Sequence, residues 1–118
     1  MSKDRAIMAG EKALYSLKEA RDILSSASNW GLLDIYGGNC LTFQKIENAK
    51  RVIENAIYDM DLFLDDLRSQ EEIEELDRII EDISRALRDE KFQDRVRGIQ
   101  EDISTAIKTI EDILFQIL

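Results

Sequence analysis

Apolar residues recur at alternating steps of three and four along most of this 118-residue chain, and this spacing gathers side chains on one face of an α-helix. The clearest run is Ile46, Ala49, Ile53, Ala56, Met60, Phe63 and Leu67. The chain contains no proline, which is the residue that most strongly interrupts helix interiors. We therefore predict an all-α fold in which this run forms a helix from about Phe43 to Arg68.

The segment before it, from about Asp4 to Ser28, carries a heptad repeat of small residues. Alanine occupies every seventh position, and larger aliphatic residues accompany it: Ala6, Ala13, Ala20, Ala27, Ile7, Leu14, Leu17 and Leu24. Small residues repeated at one heptad position allow a neighbouring helix to approach closely. The repeat therefore predicts a helix that packs tightly against another.

The downstream apolar pattern changes frame twice. Its two stripes are Ile73, Leu76, Ile80, Ile83 and Leu87, and then Phe92, Val96, Ile99, Ile103, Ala106, Ile110, Ile113 and Ile117. The first change falls at Ser69, where Ser69 to Glu72 has the pattern of a capping box. The second falls between Arg88 and Lys91, with Asp89 as an N-cap. We therefore predict that residues 1–118 form one domain, an up-down four-helix bundle.

Neither frame change contains glycine or proline, so an alternative stays open. The last two stripes would then belong to one long, locally rewound helix. Three helices of this kind would have to dimerise, because nothing else would cover the apolar stripe of the long C-terminal helix. The C-terminal residues from Ile110 to Leu118 are apolar on more than one face. We therefore expect a homo-oligomer with either topology.

One segment, from Trp30 to Phe43, lacks the helical spacing and holds the only Trp, the only Cys and three of the five Gly residues of the chain. In a structural interpretation its apolar residues cover one end of the bundle, with Asp34 capping a turn. In a functional interpretation it exposes backbone amides near the start of a helix and offers aromatic rings for stacking. The candidate partner-binding residues are Trp30, Asp34, Tyr36, Gly37, Gly38 and Phe43.

The same segment carries a resemblance. Trp30-Gly31, Asp34 and Gly37-Gly38, followed by Lys45-Ile46-Glu47-Asn48-Ala49, resemble a motif of small uncharacterised bacterial helical proteins, in which W-G-x-x-D-x-x-G-G precedes a helix with K-I-D/E-x-A. The resemblance reaches from Trp30 to about Leu67. It departs from the pattern at Asn39, where a third glycine is usual, and at Thr42-Phe43, where Lys-His is usual. It implies a bacterial helical protein and brings no activity with it.

The charge balance limits the partners that we expect. With 25 acidic and 16 basic residues the formal net charge is −9, which repels nucleic-acid phosphates and anionic lipid head groups. The sequence contains no apolar run of the ~20 residues that a membrane span requires, and its first residues do not resemble a signal peptide. We therefore expect a soluble, cytoplasmic protein that binds neither nucleic acid nor membranes. Its single cysteine cannot form an internal disulfide.

The residue types limit the chemistry in the same way. There is no histidine, which removes the commonest general base and the histidine ligands of metal sites. Carboxylates alone can hold Mg²⁺, and a cluster with suitable spacing is formed by Glu71, Glu72, Glu74, Glu75 and Asp77. The other interpretation of that cluster is a solvated acidic surface, and we interpret the acidic cluster at Asp59, Asp61, Asp65 and Asp66 as surface too. We expect no catalytic residue and no cofactor.

These observations favour a non-enzymatic protein that acts by binding, through self-association and a partner protein. Docking on an apolar groove needs an apolar stripe and a rim of charge, and aromatic residues are the usual anchors of interfaces, here Trp30, Tyr36 and Phe43. Two alternatives remain open. One is an all-α, Mg²⁺-dependent nucleoside-triphosphate pyrophosphohydrolase that uses the Glu71 to Asp77 cluster. The other is an acidic mimic of nucleic acid that inhibits a DNA-binding protein.

Overall fold

A computed structural model describes residues 3–25, 39–67 and 71–117. The described residues form four α-helices and no strand, so the predicted all-α fold is confirmed. The helices are α1 (Lys3–Ser25), α2 (Asn39–Leu67), α3 (Glu71–Leu87) and α4 (Phe92–Ile117). Among these helices, none combines the length and the apolar composition that crossing a membrane would require.

The helices are arranged as an up-down four-helix bundle, as predicted. Helix α1 packs against α2 and α4, and α3 packs against the same two helices from the opposite corner. Near the start of α1, Gly10 contacts Phe63 at the end of α2 and Leu114 at the end of α4. Near the end of α1, the carbonyl oxygen of Leu24 accepts a hydrogen bond from Gln100 in the early part of α4. Both α2 and α4 therefore run antiparallel to α1.

The core consists of the apolar stripes that the spacing predicts. The largest fully buried side chains come from all four helices: Leu17, Leu24, Ile53, Met60, Phe63, Leu76, Ile79, Ile83, Ile99, Ile103 and Ile110. The stripe of α4 is wider than predicted, because Ile107 and Leu114 are buried as well. They lie on the side that faces α1, where small residues leave room for them. The second apolar face of the C-terminal residues is thus partly covered by α1 of the same chain.

Small side chains on α1 allow this close packing. Ala13 and Ala20 of the heptad repeat are fully buried, which is the role that the repeat predicts, and Gly10 is buried with them. A Cβ atom at Gly10 would lie 2.8 Å from Leu114 Cδ2 and 2.8 Å from Phe63 Cε1. The backbone of α1 is therefore so close to α2 and α4 at Gly10 that a β-carbon there would displace the neighbouring side chains.

The frame change after Leu87 is a turn. Residues 88–91 separate α3 from α4, and the amides of Arg88 and Asp89 close the last turn of α3 on the carbonyls of Arg85 and Ala86. The alternative of three helices with a long C-terminal helix is therefore wrong, because α4 folds back and packs against α3. The other frame change, at Ser69, lies outside the described residues, but α2 ends at Leu67 and α3 begins at Glu71 on either side of it.

Helix α2 begins at Asn39, four residues earlier than the predicted start at Phe43. The residues from Asn39 to Thr42 lack the apolar spacing, and for that reason the pattern assigns them to the loop. Gly38 is the first residue upstream of Phe43 with a strongly unfavourable helix propensity. Propensity thus allows the helix to extend back to that glycine, beyond the point where the apolar pattern ends.

Candidate functional site

The predicted site lies where α1 ends and α2 begins. Helix α1 ends at Ser25 and α2 begins at Asn39, and because the two helices are antiparallel, both ends lie at the same end of the bundle, which we call the loop end. Trp30, Asp34, Tyr36, Gly37 and Gly38 lie outside the described residues. Phe43 belongs to α2, but its side chain is outside the described part of the structure. Their assignment as a binding site therefore stays a prediction.

A cleft of about 420 Å³ lies at the loop end, between α2 and the α3–α4 turn. Its apolar lining consists of Ile46 and Phe92, and its rim carries charges of both signs from Glu47, Lys50, Glu90, Lys91 and Asp94. The Lys50 ammonium lies 5.2 Å from the centre of the Phe92 ring, a cation–π contact. Ile46 and Glu47 belong to the K-I-E-x-A part of the sequence motif, so two residues of that motif line this cleft.

Two polar contacts fix the helices around the loop end. Gln100 of α4 donates a hydrogen bond from Nε2 to the carbonyl oxygen of Leu24, at 3.1 Å, and so ties the last turn of α1 to α4. Asp89 accepts hydrogen bonds from the Lys91 amide and from Arg95 Nε, both at 2.8 Å. The bond to the Lys91 amide lies within the turn, and because α4 begins only at Phe92, the prediction that Asp89 is its N-cap is wrong. The two hydrogen bonds to Asp89, that from the backbone first, lower the pKa of its carboxyl.

A second cleft, of about 410 Å³, runs between α3 and α4 and is strongly charged. Arg78 pairs with Asp82 on α3, and Asp82 also lies close to Asp102 of α4. Partial burial raises the pKa of the Asp102 carboxyl above its ordinary value of 3.8, and the Asp82 carboxylate raises it further, while Arg78 opposes the shift. The ionised form of Asp102 is therefore disfavoured in the folded protein.

Asp102→Asn should stabilise the protein at neutral pH. The folded state holds the Asp102 proton to a higher pH than the unfolded state does, so the wild-type free energy of unfolding falls as the pH rises from the ordinary pKa through the folded-state pKa. Removing one like-charge contact should raise the melting temperature by about 1–2 °C near pH 7, and the gain should vanish below pH 3.8. Thermal unfolding followed by circular dichroism across this range measures it.

Glu11→Gln is the matched control, because Glu11 is exposed on α1 and the substitution changes the net charge by the same amount. An equal gain in both variants would mean that relief of overall negative charge explains the effect, and would contradict the role of the α3–α4 cleft.

The proposed Mg²⁺ cluster is only partly described. The side chains of Glu71 and Glu72 lie outside the described residues, whereas Glu74 and Asp77 are exposed. Glu75 forms an ion pair with Arg78 at 2.9 Å. Among the described side chains, no group of three carboxylate or cysteine residues lies close enough together to hold a metal ion.

Asp59 is not on the surface, so its interpretation as part of a surface cluster is wrong. It is only 5% exposed, and its carboxylate faces α1, where Ser16 Oγ donates a hydrogen bond to Oδ2 at 2.5 Å. The other oxygen, Oδ1, lies 3.9 Å from Lys12 Nζ. Ser16 is buried too. The sequence gives one signal for this pair, since both residues directly adjoin core positions, Leu17 and Met60.

Several large apolar side chains remain outside the closed core. Tyr15 is 71% and Phe115 is 83% exposed. Met8 shares the outer face of α1 with Tyr15, and Tyr58 is exposed on α2. Single exposed apolar residues are common on protein surfaces, but Met8, Tyr15 and Phe115 lie on two helices that pack side by side.

Compared with protein-family models, with curated proteins and with solved structures, the chain matches none of them.

Proposed function

We propose that this protein acts by binding protein chains, including a second copy of itself. The observation that supports this most is the combination of a closed core with large exposed apolar residues. The four described helices cover their stripes against one another, so the predicted association through an uncovered stripe is not needed for folding. Met8, Tyr15 and Phe115 nevertheless stay exposed on α1 and α4. Side chains of this kind stabilise interfaces when a partner covers them.

We propose a second contact at the loop end, which lies at the opposite end of α1 from Met8 and Phe115. Trp30 and Tyr36 would serve as aromatic anchors, because binding energy concentrates on such residues. The mixed charges around Ile46 and Phe92 resemble the polar rim that surrounds the apolar centre of many interfaces. Since the core is closed within one chain, we propose that self-association is reversible and depends on concentration.

Trp30→Ala tests this proposal. Immobilised wild-type protein should capture soluble wild-type protein, and capture of the Trp30→Ala variant should be at least about tenfold weaker, the loss expected for an aromatic anchor. The far-ultraviolet circular dichroism of the variant should equal that of the wild type. A parallel Phe115→Ala variant shows how much the exposed residues Met8, Tyr15 and Phe115 of α1 and α4 contribute to capture.

Two results would contradict the proposed role of Trp30. If Trp30→Ala lowered the helix content, Trp30 would be part of the structural cover of the bundle. If capture were unchanged in a folded variant, the contact would lie elsewhere.

A further inference from the structure

A groove of about 440 Å³ runs along the outside of the bundle between α2 and α3 and reaches the start of the α3–α4 turn at Arg88. Its apolar part consists of Ile57 and Tyr58 of α2 and Leu87 of α3. Ile57 and Leu87 pack against the core from outside, whereas Tyr58 is 63% exposed. Leu62, one helical turn further along α2, is exposed as well. The groove therefore offers an apolar surface that no described part of the chain covers.

The groove becomes acidic toward the end of α2. Asp61 lines it, and the carboxylates of Asp65 on the same helix and Asp77 on α3 are close enough to act on the Asp61 carboxyl. Burial raises the pKa of the Asp61 carboxyl, and the carboxylates of Asp65 and Asp77 raise it further. Among the described residues, none of these three carboxylates has a cation within ion-pair distance. Glu54 and Arg88 line the other end, next to Leu87, so that end carries charges of both signs.

The helices that form the groove also carry more acidic than basic residues. Helix α3 carries seven acidic and two basic residues, and α2 carries six acidic and three basic residues. Helix α1, at the corner diagonal to α3, carries four acidic and five basic residues. The two helices that form the groove are therefore strongly acidic, whereas α1 is not. The field of such acidic helices attracts cationic partners and repels nucleic acids and anionic membranes.

We propose that this groove docks a basic amphipathic helix of a partner protein. An apolar side chain of the partner would lie on Tyr58 and Leu87, and its Lys or Arg residues would lie against Asp61, Asp65 and Asp77. Tyr58 and Asp65 are separated by about two helical turns, roughly 10 Å, so the apolar residue and the last cation of the partner should be separated by a similar distance. This groove shares no lining residue with the cleft at the loop end, and the proposed self-association does not depend on it.

A synthetic peptide tests the proposal with the full chain. The probe is a fluorescent helix of about 18 residues with Leu at helical spacing and Lys elsewhere, and its counterpart has Glu in place of Lys. Fluorescence anisotropy should show binding of the Lys peptide only, with an affinity that falls as salt is added. Tyr58→Ala should weaken binding about tenfold. Replacing Asp61, Asp65 and Asp77 together by Asn should weaken it roughly fivefold and reduce its salt dependence.

The chain provides a matched control on α1. The combined change Glu11→Gln, Glu19→Gln and Asp22→Asn removes the same charge from exposed positions. This variant should bind the Lys peptide as tightly as the wild type. Equal losses in the α1 and groove variants would overturn the proposal in favour of non-specific attraction, and so would an absence of binding. Neither result would bear on the proposed self-association, because the capture experiment with Trp30→Ala tests that proposal separately.

Discussion

Gly10→Val is expected to destabilise the protein by about 3 kcal/mol, because extra atoms forced into a packed core displace its side chains and backbone. The first added carbon would already lie 2.8 Å from both Leu114 and Phe63, and both side chains are buried. Gly10→Ala should cost about 1 kcal/mol, since the better helix propensity of alanine offsets part of the clash. Chemical denaturation followed by circular dichroism measures both differences.

Gly98 supplies the matched control. It lies in the interior of α4, and a Cβ atom there would meet nothing within 4 Å. Gly98→Ala should therefore stabilise the protein by about 0.5–1 kcal/mol through helix propensity alone, and Gly98→Val should be tolerated. If Gly10→Ala stabilised the protein as much as Gly98→Ala does, the close approach of α1 to α2 and α4 would be wrong.

Ser16→Ala should destabilise the protein by about 2 kcal/mol, because it leaves the buried Asp59 carboxylate without its hydrogen-bond donor. Lys12 cannot replace that donor, since its ammonium is largely exposed and lies 3.9 Å from the other carboxylate oxygen. Asp59→Leu should also destabilise the protein, because the buried Ser16 hydroxyl then loses its carboxylate acceptor. Urea denaturation of both variants, with helix content checked by circular dichroism, measures the losses.

The double variant Ser16→Ala, Asp59→Leu distinguishes a buried pair from two independent residues. Replacing both partners by apolar side chains removes the unsatisfied group, so the double variant should recover to within about 1 kcal/mol of the wild type. Additive losses in the double variant would contradict this, since non-additivity is the signature of residues in direct contact.

Much of the fold follows from the spacing of apolar residues. The stripe from Ala49 to Phe63 predicts both the course of α2 and its buried face, because a helix in water must cover one apolar face. The turn at residues 88–91 is foreseeable from the change of frame, although no glycine or proline marks it, but the predicted N-cap at Asp89 lies inside the turn because α4 begins only at Phe92. Helix starts are less predictable, as Asn39 shows, because propensity can extend a helix beyond its apolar face.

The contacts at the candidate sites cannot be predicted from the spacing of apolar residues along a single helix. Asp59 and Ser16 are 43 positions apart, and their contact depends on the register between α1 and α2. The groove beside Tyr58 likewise depends on which face of α3 packs against α2. Spacing along one helix determines which residues face inward, whereas the relative positions of two helices come from the packing of the whole core. Polar pairs and grooves between helices therefore become visible only in the folded chain.

Sedimentation equilibrium of the wild-type protein over a wide range of concentrations tests the proposed self-association most directly. We predict a molar mass close to that of the 13.6 kDa chain in dilute solution and a rise toward a multiple of it at high concentration, because each chain closes its own core and associates through its surface. A mass of 13.6 kDa at every concentration would contradict self-association. A dimer that persisted at the lowest concentration would contradict the proposed reversible, concentration-dependent association.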